Sequence, residues 1–410
     1  MQKKWIIVAS CVIVILIVAG IVAYYYWPRP QAKTEILIGA AVSQTGALAP
    51  MGNKVIAGYR LWEEYINSEG GLLGMTVRII MYDDQSDPTR TKSLYERLIT
   101  VDQVDFVLGP YSSGCSLAMA PVAEKYKKIT IHPLSTAGEL YNNPDYDYQF
   151  LAKVGGISGI GVPSMEEDYL HVQFFKSFAD IRTVGVINTA DYYPRSRANS
   201  FKALAQYFGL RVTFEDEIPK EATDVTAVIT RIKEANPDIF VVIGFLPIET
   251  LLIRTAFEQG YHPKMIFGAT CNIPEAWNIL GDKCQGVVTS LDFLPSLNFT
   301  ESKKFVQLYQ NKYGKLPEGH FEALGFASCQ LLEAAIKATK SLNQDRIKEW
   351  LINNEVETCV GPWKLSKVAF DLGYKYVPEY FKMIPQWQNG KMEIVYPTEI
   401  ATATPIYPIP

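Results

Sequence analysis

Val104–Gly114, reading VDFVLGPYSSG, and Ile129–Gly138, reading ITIHPLSTAG, decide how the rest of the chain is understood. In each, a short apolar run stops at Gly or Pro. A hydroxyl pair follows, Ser112-Ser113 in the first and Ser135-Thr136 in the second, and then a helix-like stretch. A strand-length run feeding a helix is half of a βαβ unit, and two in succession imply a parallel sheet. In open α/β sheets, ligands bind outside the carboxyl ends of the strands. Helix N-termini at that edge present unpaired N–H groups and the positive end of the helix dipole, which suits a carboxylate. Two such ends side by side predict a pocket for a small anionic or zwitterionic solute.

Outward from these stretches the alternation continues. Strand-like runs are Ile36–Val42, Val77–Tyr82, Val104–Leu108 and Ile129–His132, separated by amphipathic stretches such as Val55–Asn67 and Thr91–Thr100. A glycine-rich break at Gly155–Gly161 interrupts them. Strand-like runs resume at Thr183–Asn188, Arg211–Glu215, Ile239–Gly244, Met265–Gly268 and Val287–Leu291. At 410 residues the chain is long for one core, and two runs of right-handed βαβ units predict an α/β fold with two doubly wound parallel-sheet lobes. Beyond Leu294 the pattern turns helical, at Ser302–Tyr313, Phe321–Lys340 and Arg346–Ile352. The Pro/Thr-rich tail after Tyr396 is expected to be extended and poorly ordered.

Several function classes are disfavoured. With 48% hydrophobic residues, 20% charged and a net charge of −4, the chain lacks the basic stripe of a nucleic-acid binder. His132, His171, His262 and His320 have no metal-ligand spacing to one another or to cysteine. Neither a P-loop nor a G-x-S-x-G elbow is present. Gly159-x-Gly161 lacks the third glycine of a dinucleotide loop, and Ser164–Glu167 (SMEE) reads instead as the capping box of a helix. Ser113 has no evident base, since His132 reads equally well as a hydrogen-bonded strand-end residue. Asp83, Asp84 and Asp87 read as turn and helix-start acids ahead of Pro88. No cofactor, metal or covalent chemistry is implied. Tyr111, Tyr192, Tyr193 and Phe245 sit at strand ends, where aromatic rings close over the apolar part of a ligand or pack a loop.

The N-terminus is of another kind. Lys3 and Lys4 precede an apolar run from Trp5 to Ala23, then Tyr24–Trp27 and Pro28. At helical rise the run spans roughly 28 Å, near the thickness of a bilayer core. Residues 5–27 read as a transmembrane helix with a cytoplasmic tail at 1–4, a linker at 28–33 and the remainder facing outside. A cleaved signal, or lipidation at Cys11 in the box Val8–Cys11, is the alternative. Among Cys115, Cys271, Cys284, Cys329 and Cys359, pairing of 271 with 284 and of 329 with 359 competes with simple burial.

Six segments in register carry a family resemblance: Ile36–Gly46 (ILIGAAVSQTG), Asn67–Gly74 (NSEGGLLG), Tyr82–Pro88 (YDDQSDP), Gly109–Ser113, Pro121–Glu124 (PVAE) and His132–Thr136. From about Ile36 to Gly373 the chain resembles the branched-chain amino-acid-binding proteins, the type I solute-binding receptors of ABC importers. The resemblance implies lobe one at 34–153 and 294–364, lobe two at 154–293 and 365–400, and a tail at 401–410. It implies an extracytoplasmic substrate-binding protein, which the N-terminal apolar run would anchor at the cell membrane. Such a protein would take an amino acid or related small carboxylate or amide by lobe closure and deliver it to an ABC permease. A sensing ectodomain that signals through a separate partner is the alternative. Carried over by position, Ser113, Leu134, Ser135 and Thr136 would meet the ligand's carboxylate and amine. Met51 and Tyr111 would line its side-chain pocket, and Tyr193 and Phe245 would cover it from lobe two. Thr270 falls where the family has the glutamate that pairs with the ligand ammonium; Asp191 is the nearest substitute in sequence. Ser86 and Ser112 fall where some members have a cysteine pair.

Overall fold

Apolar β-branched runs alternating with amphipathic stretches build two parallel sheets. The computed structural model describes residues 13, 15–19, 33–153, 166–371, 373–379 and 383–410. In the first sheet, β1 (Glu35–Val42), β2 (Thr76–Asp83), β3 (Phe106–Leu108), β4 (Thr130–His132) and β5 (Gln149–Leu151) lie in the order β2-β1-β3-β4-β5. The second holds β6 (Thr183–Thr189), β7 (Arg211–Ile218), β8 (Ile239–Ile243) and β9 (Met265–Gly268) in the order β7-β6-β8-β9. The pairings β1·β3, β3·β4 and β4·β5 are parallel, as are all three in the second sheet. In each sheet the chain first winds one way and then crosses to the other side. The reversals fall between β1 and β3 and between β6 and β8, where the outgoing loops diverge and leave a crevice.

The helices follow from the spacing of apolar residues. In α1 (Ala49–Ser68), Met51, Val55, Tyr59, Trp62 and Ile66 recur every three or four residues and are buried. Asp87 caps α2 (Pro88–Thr100) by accepting from the Arg90 N–H at 2.7 Å, so the helix start read from Asp87-Pro88 is the one observed. Asp83 accepts from the N–H groups of Gln44 and Gln85, and Asp84 from Ser43 Oγ at 2.6 Å. These acids secure turns. Ser112 caps α3 (Ser113–Lys125) through the Cys115 N–H.

In the second half come α4 (Tyr169–Lys176), α5 (Tyr192–Tyr207), α6 (Thr226–Ala235), α7 (Leu246–Glu258) and α8 (Pro274–Leu280). The chain then forms α9 (Thr300–Tyr313), α10 (His320–Thr339) and α11 (Gln344–Asn353). Helix α10 crosses α1 where Gly58 and Gly325 let the backbones touch. A Cβ at Gly58 would lie 2.1 Å from the Glu322 carbonyl oxygen, and one at Gly325 2.4 Å from that of Val55.

Four expectations are corrected. The helix expected from Ser164 begins at Tyr169, because Glu167 and Asp168 are drawn into buried ion pairs instead of capping. Val287–Leu291 forms isolated bridges, not a strand; Val288 links Phe267 to Gln386. In this way the hairpin β12 (Ile384–Gln388)–β13 (Lys391–Tyr396) joins the second sheet. Before it, β10 (Val356–Thr358) and β11 (Gly361–Trp363) pair, and residues 364–379 return to the first sheet, where Tyr376 stacks on Phe150 with centroids 4.4 Å apart. The tail is extended but docked: Tyr407 stacks on Phe178, and Ile409 is buried against Gly286. Its apolar side chains explain the difference. Cys115, Cys271, Cys284, Cys329 and Cys359 are buried free thiols, so neither suggested pairing forms.

At the N-terminus, residues 13 and 15–19 are helical. The rest of the expected 5–27 anchor lies outside the described residues, as do Ser164 and the Gly155–Gly161 break. Among the described residues no helix is long and apolar enough to cross a membrane.

Candidate functional site

The two crevices open onto one cavity. From the first sheet, the loop after β3 contributes Tyr111, Ser112 and Ser113, and the loop after β4 contributes Leu134. Gly109 is needed for this approach, since a Cβ there would lie 2.6 Å from the His132 ring. From the second sheet come Tyr193 in the first turn of α5, Phe245 just before α7, and Ala269, Thr270 and Asn272 after β9. Tyr193 and Phe245 lie with ring centroids 6.4 Å apart, and Tyr111 meets Phe321 edge-on at 5.6 Å.

Six of the nine residues singled out from the sequence therefore line one cavity: Tyr111, Ser113, Leu134, Tyr193, Phe245 and Thr270. Met51, Ser135 and Thr136 are buried and do not line the cavity. Met51 faces the core from α1. Past Pro133 only Leu134 reaches the opening, and the Ser135 carbonyl accepts from the Tyr141 hydroxyl at 2.8 Å behind it. Asp191 lines a second cavity that shares Ser112, Tyr193 and Phe245 with the first, and it stands 3.6 Å from Lys220. His132 is a strand-end residue bound to Gln149 at 2.8 Å and Ser116 at 3.2 Å, and burial lowers its pKa to about 4.

Charged and polar residues that the sequence reading passed over complete the floor. Lys153, just after β5, binds Glu167 at 2.8 Å and lies 3.9 Å from Asp292. Arg197 grips Asp168 with two bonds of 2.6 and 2.7 Å, lies 3.6 Å from Glu167, and donates to Tyr193 and Ser290. Burial alone would lift the Asp168 carboxyl, but Arg197 holds it far below the usual carboxylate range. Burial opposes the charges of Lys153 and Arg197, and their acidic partners outweigh it.

His320 is lowered by burial. Its Nδ1 lies 2.8 Å from Asp292 Oδ2 and 3.1 Å from the Asp292 backbone nitrogen, and its Nε2 faces Asn272 Nδ2 at 3.3 Å. Glu249 lies behind Thr270, accepting from the N–H groups of Gly244 and Thr270, with its pKa pushed up to about 7 by burial. One signal was available in the sequence: Arg197 stands four residues after Tyr193, on the same face of a helix. Lys153 and Glu167 flank the glycine-rich break, and nothing local marks them. Among the described residues no cluster of His, Cys, Asp and Glu is arranged to hold a metal.

Two doubly wound sheets whose switch points meet at an enclosed polar cavity define a solute-binding architecture. The family model described as periplasmic binding protein matches residues 35–369. The chain belongs to this family, in the type I group of branched-chain amino-acid-binding proteins. It is 25% identical over 365 residues to the Leu/Ile/Val-binding protein BraC3 of Rhizobium johnstonii, covering 88% of this chain and 94% of that one. The fold is similar to a leucine-binding protein LivK of Thermotoga maritima, with a TM-score of 0.77, 21% identity, and 88% and 97% of the two chains covered. It is also similar to a solute-binding protein of an R. palustris ABC transporter solved with benzoate, with a TM-score of 0.75, 19% identity, and 91% and 97% covered.

Proposed function

We propose that this chain is the extracytoplasmic substrate-binding protein of an ABC importer. It takes an amino acid of the branched-chain type, or a related small carboxylate or amide, between two closing lobes. The observation that carries this reading is the convergence of Ser113 from one switch point, and Tyr193 and Phe245 from the other, on a single cavity. The carboxylate is received at the N-terminus of α3, and the aromatic rings enclose the apolar part. The lobes are 34–153 with 294–379, and 166–293 with 383–400; the last boundary follows the packing of 364–379 on the first sheet. Lys3, Lys4 and the apolar run Trp5–Ala23 support tethering at the outer membrane face, beside a permease that reads the closed form. No step of this cycle needs a catalytic group.

A thermal-shift screen with leucine, phenylalanine, aliphatic amides and aromatic carboxylates tests the reading, followed by small-angle scattering with the strongest ligand. A rise in melting temperature accompanied by a smaller radius of gyration is expected. Silence across the whole panel would remove the reading.

A further inference from the structure

Each acid of the cavity floor already has a partner. Glu167 is held by Lys153, Asp168 by Arg197, and Asp292 by His320 and Lys153. His171 Nε2 faces the Thr289 carbonyl at 3.0 Å, and its Nδ1 lies 3.2 Å from Asp168 Oδ1. Glu249, behind the wall, is occupied by two backbone N–H groups. Asp191, in the adjoining cavity, is engaged by Lys220 at 3.6 Å.

Two polar atoms of lining residues do remain without a hydrogen bond, Thr270 Oγ1 and Asn272 Oδ1. Asn272 is buried at 3% exposure, and its amide nitrogen is turned to the Ser290 carbonyl at 2.8 Å and to His320. That orientation leaves Oδ1, a neutral acceptor, without a hydrogen bond on a residue lining the cavity. An ammonium closed into this space would lack an anionic partner, which is strongly penalised in a buried site, whereas a hydroxyl or amide N–H would satisfy the amide oxygen at no charge cost.

We propose that the solute this site selects carries no ammonium: it is a small organic acid or amide whose second polar group is an uncharged donor received by Asn272. The proposal rests on the receptor reading above. The experiment is calorimetric titration of the full-length protein with matched pairs that differ only in that group: leucine against 2-hydroxyisocaproate, phenylalanine against phenyllactate, and alanine against lactate. The uncharged member is expected to bind about tenfold tighter or better. Asn272→Ala is expected to narrow the gap between 2-hydroxyisocaproate and isocaproate. If that variant fails to fold, the ligand pairs alone decide. An amino acid binding as tightly as its uncharged partner, or tighter, overturns the proposal and leaves the receptor reading standing. Silence of all pairs and of the wider panel overturns both.

Discussion

Arg197 is fully buried, and it is the side chain on which the cavity floor depends. It neutralises Asp168, approaches Glu167 and fixes the Tyr193 hydroxyl, so removing it strands charge in a low-dielectric space. Arg197→Met is expected to destabilise the protein by about 3–5 kcal/mol, as for other broken buried pairs; urea denaturation measures this. Glu322 provides a second test, because burial pushes its carboxyl up to about 7 against the ordinary 4.5. The folded state then holds the proton more tightly than the unfolded chain. Its contribution to stability is full below about 4.5 and is lost as pH rises through about 7. Glu322→Gln removes that loss. The variant's advantage over wild type should therefore grow between those pH values, to ~2–3 kcal/mol, and then level off. At this scale the sequence exposed strand-end residues such as Ser113, Tyr193 and Phe245, because loop residues after apolar runs are predictable. It hid Lys153, Asn272 and His320, whose meeting depends on segments far apart in the chain. Glu167 and Asp168 resembled a helix cap and proved to be ion-pair partners.

Elements were legible where period and punctuation agreed. Long β-branched runs gave β1, β2, β6 and β8, and Asp87-Pro88 gave the start of α2. The three-residue strands β5, β10 and β11 carry too few residues for a periodic signal. Val287–Leu291 has strand composition, but it lies between elements that it only bridges. The contact of α1 with α10 was not legible, since Gly58 and Gly325 look like ordinary helix weaknesses until both helices are placed. In an isolated helix Gly→Ala gains about 1 kcal/mol. Here Gly58→Ala should instead cost about 1–3 kcal/mol, because the new methyl meets the Glu322 carbonyl. Thermal denaturation reads the sign directly, and a gain would refute the close crossing.

For the whole molecule, the proposed closure makes contacts across the cavity mouth the balance between closed and open forms. Tyr192 on α5 donates to Glu139 beyond β4, and Lys54 on α1 lies 3.4 Å from Glu275 on α8. A bond present only in the closed form strengthens binding by population shift. Tyr192→Phe should weaken solute binding by about two- to tenfold, the worth of one hydrogen bond, with little change in melting temperature of the free protein. The two-sheet plan was visible from the glycine-rich break and the restarted alternation. The late return of 364–379 to the first sheet was not, because it rests on Tyr376 finding Phe150.

The central claim is that one solute is held from both switch points at once. Calorimetry on Ser113→Ala and Tyr193→Ala, with the solute that most stabilises the wild type, tests it most directly. Each substitution should weaken binding by about fivefold or more. Undiminished affinity in either variant would mean that the solute sits on one sheet alone or elsewhere.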